Sequence, residues 1–484
     1  MKVLFASSEV WPLIKTGGLG DVAYSLPKAL QALGQDVKII LPAYREVLAN
    51  CTDLKILASM DSPHGTHSSA IRLLEASHEQ FDTPVWLVDC QSLFDRTGNP
   101  YTNAEGNDWH DNAERFTQFC WAVSQVAMGH ALADWKADVV HANDWQCGLI
   151  PAFLDTYHHR PKRVFTIHNL AFGGHFSQQQ FQSLNLPDQW WSAEGVEFYG
   201  GLSMLKAGLI YSDVITTVSP TYAKEICTPA FGYGMDGLLS SRSYKLSGIL
   251  NGIDETVWNP SSDNYLPHHY SAKKIQLGKQ KNKYVLLSEH NDEVSDEMIS
   301  APLFGMVTRL TEQKGVDLIT QSIPAMLKQS NANFMLMGSG STYFERVIQD
   351  LHEQYPNRVF CYLGYSERMA HLIEAGSDIF LMPSRYEPCG LNQMYSLRYG
   401  TLPIVTNTGG LADTVVDATD QTIAEGTANG FILPSSNTNA LLKTMSRAVD
   451  LFEDKATWGS IQKTAMSKDF SWQRSAEEYL ALYQ

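Results

Sequence analysis

The chain has 484 residues, 44% hydrophobic and 18% charged, so it carries enough apolar side chain for a sizeable core and is not of the disordered class. At roughly 150 residues per domain, this length calls for about three ordinary domains or two large ones. Thirty-six basic residues against 52 acidic ones give a net charge of −16, which repels phosphate backbones and argues against a nucleic-acid partner, though not against a small anion in a local basic pocket. The 7 cysteines are scattered and form no C-x-x-C pair, which speaks against a disulfide scaffold or a cysteine-rich zinc site and for a reducing compartment. The apolar opening Met1–Ala6 stops at Ser7-Ser8-Glu9, too short for a secretory signal. No apolar run approaches the ~18 residues of a membrane span. The expectation is a cytoplasmic protein with no membrane partner.

In chain order, residues 2–7 read as a short buried strand, followed by a glycine-rich turn, a helix over 21–33 and a strand over 36–42. This β-loop-α-β unit is the seed of a doubly wound parallel sheet. Strand-like runs recur at 85–89, 138–141, 163–167 and 213–218, separated by segments of helical length such as 111–132, giving a first α/β domain over 1–250. A polar, irregular stretch to residue 280 follows Leu250-Asn251-Gly252-Ile253-Asp254. Strands then reappear at 302–308, 333–337, 358–362, 378–382 and 403–406, a second doubly wound domain over 251–466. The remaining segment, 467–484, predicts a helix with Ser471 as N-cap and Trp472, Ala476, Tyr479, Leu480 and Tyr483 on one face. So apolar a face needs a partner surface, and a return to the first domain is expected.

Five segments carry candidate chemistry. Lys15-Thr16-Gly17-Gly18-Leu19-Gly20-Asp21 lies between a strand and a helix. Its glycines let backbone N–H groups approach an anion, and Lys15 adds a charge to the helix N-terminus; a plain tight turn is the alternative. Gly18-x-Gly20-x-x-Ala23 also fits a dinucleotide fingerprint, but the second strand ends Leu41-Pro42-Ala43-Tyr44, with no acid to hold a ribose. Arg309 and Lys314 follow a strand, where open α/β sheets bind ligands, and could converge on one pyrophosphate; two solvated surface charges are the alternative. In Pro383–Asn392, Glu387 could accept two sugar hydroxyls while Gly390 and Leu391 present helix N-terminal amides; otherwise it is an acid answering the helix dipole. Cys389 reads as a packed residue, not a nucleophile. Lastly, His141-Ala142-Asn143-Asp144-Trp145 and Thr166-Ile167-His168-Asn169 end consecutive strands and could meet in one cleft, or be satisfied core residues. No H-E-x-x-H or comparable metal spacing occurs.

Taken together, SSEVWPLIKTGGLGDV (7–22), HANDWQ (141–146), FTIHNLAFGG (165–174), VSPTYAKEI (218–226), FGYGMDGLL (231–239), LNGID (250–254), TRLTEQKG (308–315), SRYEPCGLNQMYSLRYGTLP (384–403) and TGGLADTV (408–415) resemble, in order and over nearly the whole length, the bacterial glycogen synthase and plant starch synthase family. Matches are irregular around 55–110 and 260–300. The resemblance implies an α/β chain of GT-B architecture, with two Rossmann-like doubly wound domains facing across a deep cleft and the terminal helix crossing back to the N-terminal domain. It implies a retaining glucosyltransferase that uses no metal and no cofactor. Glucose would pass from ADP-glucose, as substrate, to the non-reducing 4-hydroxyl of an α-1,4-glucan, either glycogen or a malto-oligosaccharide.

Residue by residue, the resemblance implies that Arg309 and Lys314 hold the donor pyrophosphate. It likewise implies that Glu387 with the Cys389-Gly390-Leu391 backbone binds the glucose, and that Tyr365 packs on adenine. It further implies that His168 lies beside the transferred glucose, that Asn251 is another sugar contact, that Lys15 and Gly18 belong to the loop closing over the donor, and that Asp144 is an acid near the reacting centre. Three positions depart from the family's usual residues: Asn143 for His, Tyr386 for Phe, and Cys147 for a small residue. The residue on the reacting side is a histidine, so a front-face transfer with the leaving phosphate as base is expected, with no covalent glucosyl-enzyme. For Lys314→Ala, lost turnover with normal thermal unfolding is expected. The alternatives are a UDP-glucose or other nucleotide-sugar transferase of this architecture, a pyridoxal-phosphate-dependent phosphorylase, and a non-catalytic glycan-binding module.

Overall fold

The computed structural model describes residues 1–65, 70–291 and 293–484. They form two compact units, Met1–Gly252 with Trp472–Gln484, and Ile253–Ser471. The divisions thus fall at 252/253 and 471/472 rather than at 250/251 and 466/467.

The first unit is built on a nine-stranded sheet. Its strands are β1 (Lys2–Ala6), β2 (Asp36–Pro42), β3 (Thr52–Met60), β4 (Ile71–Ser77), β5 (Val85–Asp89), β6 (Val139–Asn143) and β7 (Lys162–Ile167). After a small antiparallel sheet of β8 (His175–Ser177), β9 (Glu197–Phe198) and β10 (Gly201–Ser203), the large sheet is completed by β11 (Val214–Thr217) and β12 (Leu246–Gly248). The order is β12-β11-β7-β6-β1-β2-β5-β4-β3. From β12 to β5 all pairs are parallel, and the central strands β1, β5, β6 and β7 are buried almost throughout, as strands covered on both faces must be. The β3 and β4 edge is antiparallel, a departure from the expected all-parallel sheet. β3 is largely exposed, so it lacks the apolar run that marks the inner strands.

The first helix runs Gly18–Ala32, beginning inside the glycine segment and not at residue 21. Pro27 sits within it. The helix Asn112–Met128 occupies the expected 111–132 segment and ends at Gly129, whose left-handed φ of 78° terminates it. The terminal helix Trp472–Tyr483 buries Trp472, Ala476, Tyr479 and Tyr483 in this unit. His141 anchors it: Nδ1 meets the Tyr483 hydroxyl at 2.6 Å while Nε2 meets the Thr166 hydroxyl at 2.6 Å. His141 is therefore spent on structure, and burial lowers its pKa to about 3, which keeps it neutral.

The second unit carries six parallel strands: β13 (Leu303–Leu310), β14 (Asn333–Gly340), β15 (Val359–Leu363), β16 (Ile379–Met382), β17 (Leu402–Thr406) and β18 (Phe431–Leu433), in the order β15-β14-β13-β16-β17-β18. Helices such as Val316–Gln329 and Thr438–Glu453 cover it, and the core includes Phe304 and Phe334, stacked 5.0 Å apart. Within the stretch read as irregular before residue 280, a helix begins at Ile275 and continues to Ser288.

Both strand orders reverse direction once. In the first unit the chain winds outward from β1 through β2, then crosses to β6 on the other side. In the second it winds from β13 through β14 and β15, then crosses to β16. Loops leaving two neighbouring strands in opposite directions open a crevice at their carboxyl ends, and ligands bind there in open α/β sheets. The candidate residues of each unit cluster after these strand pairs.

Candidate functional site

In the first unit, the connection after β1 folds around Glu9. This carboxylate is 3% exposed and accepts hydrogen bonds from the Thr16 amide (2.5 Å), the Thr16 hydroxyl (2.6 Å) and the Gly17 amide (3.2 Å). The Tyr101 hydroxyl donates to it as well. The Thr16 and Gly17 amides are thus committed to an internal anion, which corrects the picture of the whole glycine segment as an open cradle. Gly18 begins the helix, whose N-cap Gly17 supplies no side-chain cap, so an anion would find its amides at that end. Lys15 is exposed and pairs with Asp21 at 2.8 Å.

After β6, Asp144 has φ 57° and ψ −178°, a region essentially reserved for glycine and costing roughly 1–3 kcal/mol elsewhere. Its Oδ1 accepts from the His168 amide at 2.8 Å and more weakly from the Asn169 amide at 3.4 Å, tying the end of β7 to the end of β6. Burial, with a smaller push from Glu9, raises its pKa to about 7. Asn143 completes the link. Its Nδ2 donates to the Ala6 carbonyl at 3.0 Å, so its Oδ1 faces His168 Nε2 at 2.9 Å. A carbonyl oxygen only accepts, so Nε2 carries the proton. Burial lowers the His168 pKa to about 3, so the ring is neutral and Nδ1 holds a lone pair. Asn251 is buried, and its Oδ1 has no hydrogen-bond partner among the described residues.

In the second unit, the loop after β13 is zipped to the loop after β16. Arg385 N–H donates to the Gln313 carbonyl (2.8 Å), Gln313 Nε2 donates to the Tyr386 carbonyl (3.1 Å), and Arg385 pairs with Asp317 (2.7 Å). Gly315 has φ 71°, and a Cβ there would lie 2.3 Å from the Pro383 carbonyl oxygen, so only glycine allows this approach. The zipper brings Lys314 Nζ to 2.6 Å from Glu387 Oε2, and Ser384 Oγ donates to the same oxygen at 3.0 Å. Glu387 is 7% exposed. Its backbone is braced by Gly410, whose amide lies 3.2 Å from the Glu387 carbonyl oxygen.

Arg309 is exposed at the end of β13, and its guanidinium has no hydrogen-bond or ion-pair partner among the described residues. Gly390 turns the chain at φ 71° into the helix Asn392–Tyr399, which has no side-chain N-cap. The Gly390 and Leu391 amides have no backbone acceptor among the described residues. Cys389 is buried, and its backbone lies close against Gly410. Tyr365 follows β15, 62% exposed, its hydroxyl bonded to Glu367.

The candidates thus form two sets. Asp144 and His168 are joined directly, with Lys15, Gly18 and Asn251 in the same unit. Lys314 and Glu387 are joined directly, with Arg309, Tyr365, Cys389, Gly390 and Leu391 in the other. Sequence reasoning missed Glu9 and left Asn143 as a mere departure. The available signal for Glu9 was an acid between a buried strand and a glycine turn. Among the described residues no group of three or more His, Cys, Asp or Glu side chains could hold a metal ion, and no helix is long and apolar enough to cross a membrane.

A family model described as the starch synthase catalytic domain matches residues 2–241, and one described as glycosyl transferases group 1 matches residues 289–463. Glycogen synthase of Hydrogenovibrio crunogenus is 47% identical, covering 100% of this chain and 99% of the relative. Glycogen synthase of Haemophilus influenzae is 45% identical, covering 100% of each. The catalytic domain of starch synthase IV from Arabidopsis thaliana, solved with ADP and acarbose, superposes with a TM-score of 0.87 at 34% identity, over 100% of this chain and 98% of that one. Sucrose-phosphate synthase from Thermosynechococcus elongatus, at 16% identity and a TM-score of 0.59 over 100% and 98% of the two chains, shares the fold alone. Two Rossmann-like units of the GT-B class, matched end to end by glycogen synthases, settle the assignment: the chain belongs to the glycogen synthase and starch synthase family and is a glycosyltransferase that transfers glucosyl units in glucan synthesis.

Proposed function

We propose that the nucleotide-sugar donor is ADP-glucose, that the acceptor is the non-reducing 4-hydroxyl of glycogen or a malto-oligosaccharide, and that the transfer retains configuration without metal or cofactor. The observation that carries this reading is the cationic pair at the crevice of the second unit: Arg309 exposed, its side chain without a partner among the described residues, and Lys314 held by Glu387. The bond to be broken joins glucose to a diphosphate, and negative charge grows on the departing phosphate. Arg309 and Lys314 would meet that charge, assisted by the amides of Gly390 and Leu391. Glu387, fixed by Lys314 and Ser384, has a second oxygen with which to accept sugar hydroxyls. Tyr365 would pack on the adenine, and Asn251, with its orphaned buried carbonyl, would receive a sugar hydroxyl.

Positive character builds on the anomeric carbon as the bond breaks. A protonated histidine there would oppose it; the neutral His168 does not. Asp144 holds the His168 backbone and Asn143 the ring, so the imidazole is fixed before substrate arrives. The side chain read on the reacting side is the His168 imidazole and not a carboxylate, which favours departure of the diphosphate and attack by the acceptor on the same face, the phosphate taking the hydroxyl proton. Lys15 and Gly18 would approach the donor from the glycine segment.

The test is incorporation of labelled glucose into glycogen with ADP-glucose and UDP-glucose supplied in parallel. Incorporation from ADP-glucose at a much higher kcat/KM is the expected result. Preference for UDP-glucose would move the chain to the alternative donor, and release of glucose without glycogen labelling would contradict the acceptor assignment.

A further inference from the structure

Among the described residues of the first unit, Arg115 and Arg163 are the buried arginines, and their surroundings differ. Arg163, 5% exposed, is held by two carboxylates, Asp155 at 2.6 Å and Asp213 at 2.7 Å. Arg115, 1% exposed on the helix Asn112–Met128, has no ion pair among the described residues. Its Nε donates to the Leu93 carbonyl (2.8 Å), and Nη1 donates to the Pro100 carbonyl (2.9 Å) and to Asn112 Oδ1 (2.7 Å), all neutral acceptors. Nη2 makes no hydrogen bond among the described residues. Burial draws the Arg115 pKa down; against the same burial, Asp213 and Asp155 raise that of Arg163. Aromatic rings meet part of the Arg115 charge: Cζ lies 5.5 Å from the Phe94 centroid, 5.8 Å from that of Trp109 and 5.9 Å from that of Tyr44. A buried cation without an anion is still costly.

Arg115 lines a cavity of about 310 Å³. That is near the lower end of the roughly 300–1,000 Å³ of small-molecule pockets. Tyr44, Phe94 and Trp109 supply its aromatic walls, and two of them carry buried donors without a partner among the described residues, the Tyr44 hydroxyl and Trp109 Nε1. Burial pushes the Tyr44 phenol up, so it keeps its proton. The other charged residues at the cavity are Arg45, Arg96 and Glu46. Arg45 is already paired with Asp95 at 2.7 Å and Arg96 with Asp111 at 2.6 Å. The lining therefore sets three arginines against one acid in a chain whose balance is −16. Lys15, Asp144 and His168 are not part of it.

We propose that this cavity is a binding site for a small carboxylate with an apolar body, the carboxylate on Arg115 and the body against Tyr44, Phe94 and Trp109. The two N–H groups of Nη2 offer charge-assisted hydrogen bonds to a carboxylate oxygen. Trp109 Nε1 and the Tyr44 hydroxyl, on the same walls, are the neutral donors available to its remaining lone pairs. The rings cover an apolar body, which water would not hold as well. A single negative charge suits the site better than a phosphate dianion, because the exposed Glu46 opposes a second charge and the rings cannot solvate it. The site does not rest on the donor and acceptor reading above.

The test titrates benzoate, its neutral counterpart benzamide and inorganic phosphate into the native chain by ligand-observed NMR, alone and with ADP or maltohexaose present. Benzoate is expected to bind about tenfold more tightly than either of the others, the worth of one charge-assisted contact, and to be displaced by neither ADP nor maltohexaose. Ala49 is exposed and lines the cavity, so Ala49→Trp fills it from the solvent side and leaves Arg115 in place. Benzoate binding is expected to weaken about tenfold in that variant, with an unchanged melting temperature. Arg115→Gln is expected to abolish the advantage of benzoate over benzamide; if that variant does not fold, the native titrations and Ala49→Trp decide. Equal affinity for benzoate and benzamide, tighter binding of phosphate, or displacement by ADP or maltohexaose overturns the proposal. So does native-like benzoate binding in Ala49→Trp, lost binding there with a lowered melting temperature, or a retained preference for benzoate in Arg115→Gln.

Discussion

The two sheet crevices solve opposite electrostatic problems. After β1 and β6 of the first unit, the side chains are kept uncharged or turned inward: His168 is neutral, Asp144 has a pKa of about 7, and Glu9 is satisfied by the connection it supports. After β13 and β16 of the second, charge is displayed: Arg309 is exposed, and Lys314 is braced against Glu387. The contrast is what the proposed reading asks of each unit by itself: cations for growing negative charge in the second, and in the first a group that does not repel positive charge. It also assigns cost differently. In the first unit the cost is strain at Asp144; in the second it is a pair of charges held away from water.

The sharpest way to break this comparison is Lys314→Ala. Turnover is expected to fall about 10²–10³-fold. The Glu387 carboxylate would also be left buried without its cation, a loss of about 3–5 kcal/mol for a pair of this burial, so the melting temperature falls too. This replaces the expectation of normal unfolding drawn from sequence. Lys314→Ala with an unchanged melting temperature would show that the pair is not structural.

Asn143→Ala tests the first unit. It removes the acceptor that orients the His168 ring and leaves the backbone of Asp144 in place, so kcat is expected to fall roughly tenfold, less than the ~10² of direct misplacement, with donor KM unchanged. An unchanged kcat would mean that the ring needs no such restraint.

Asp144→Asn is the mildest change and separates charge from geometry. The folded pKa of about 7 lies above the ordinary 3.8, so the folded state binds the proton more tightly. The contribution of this group to stability is fully present below pH 3.8 and is lost as pH rises toward 7. Asparagine still accepts from the His168 amide, so the variant is expected to melt a few degrees higher at pH 8 and equally at pH 3.5. A uniform gain or loss across that range would contradict the buried-carboxylate account.

Much of the fold was legible because inner parallel strands carry short apolar runs, Val3–Ala6 in β1 and Leu303–Val307 in β13, and glycine turns punctuate them. The exposed β3 edge and the two- and three-residue strands around Tyr199 have no such pattern. Side chains at strand ends, among them Arg309, Glu387 and His168, could be named as candidates because topology determines where ligands bind. Their partners could not. That Glu9 claims the Thr16 and Gly17 amides, or that Asn143 sets the His168 tautomer, depends on contacts between segments up to 137 positions apart, as between Asn143 and Ala6.

The central claim, that the crevice of the second unit holds the donor's diphosphate, is tested most directly by calorimetric titration of ADP into the native chain and Arg309→Ala. Arg309 is exposed and its side chain has no partner among the described residues, so its removal should leave the melting temperature unchanged. The account predicts ADP binding about 10–100-fold weaker in the variant, the worth of one charge-assisted contact. Equal ADP affinity in the two proteins would contradict it.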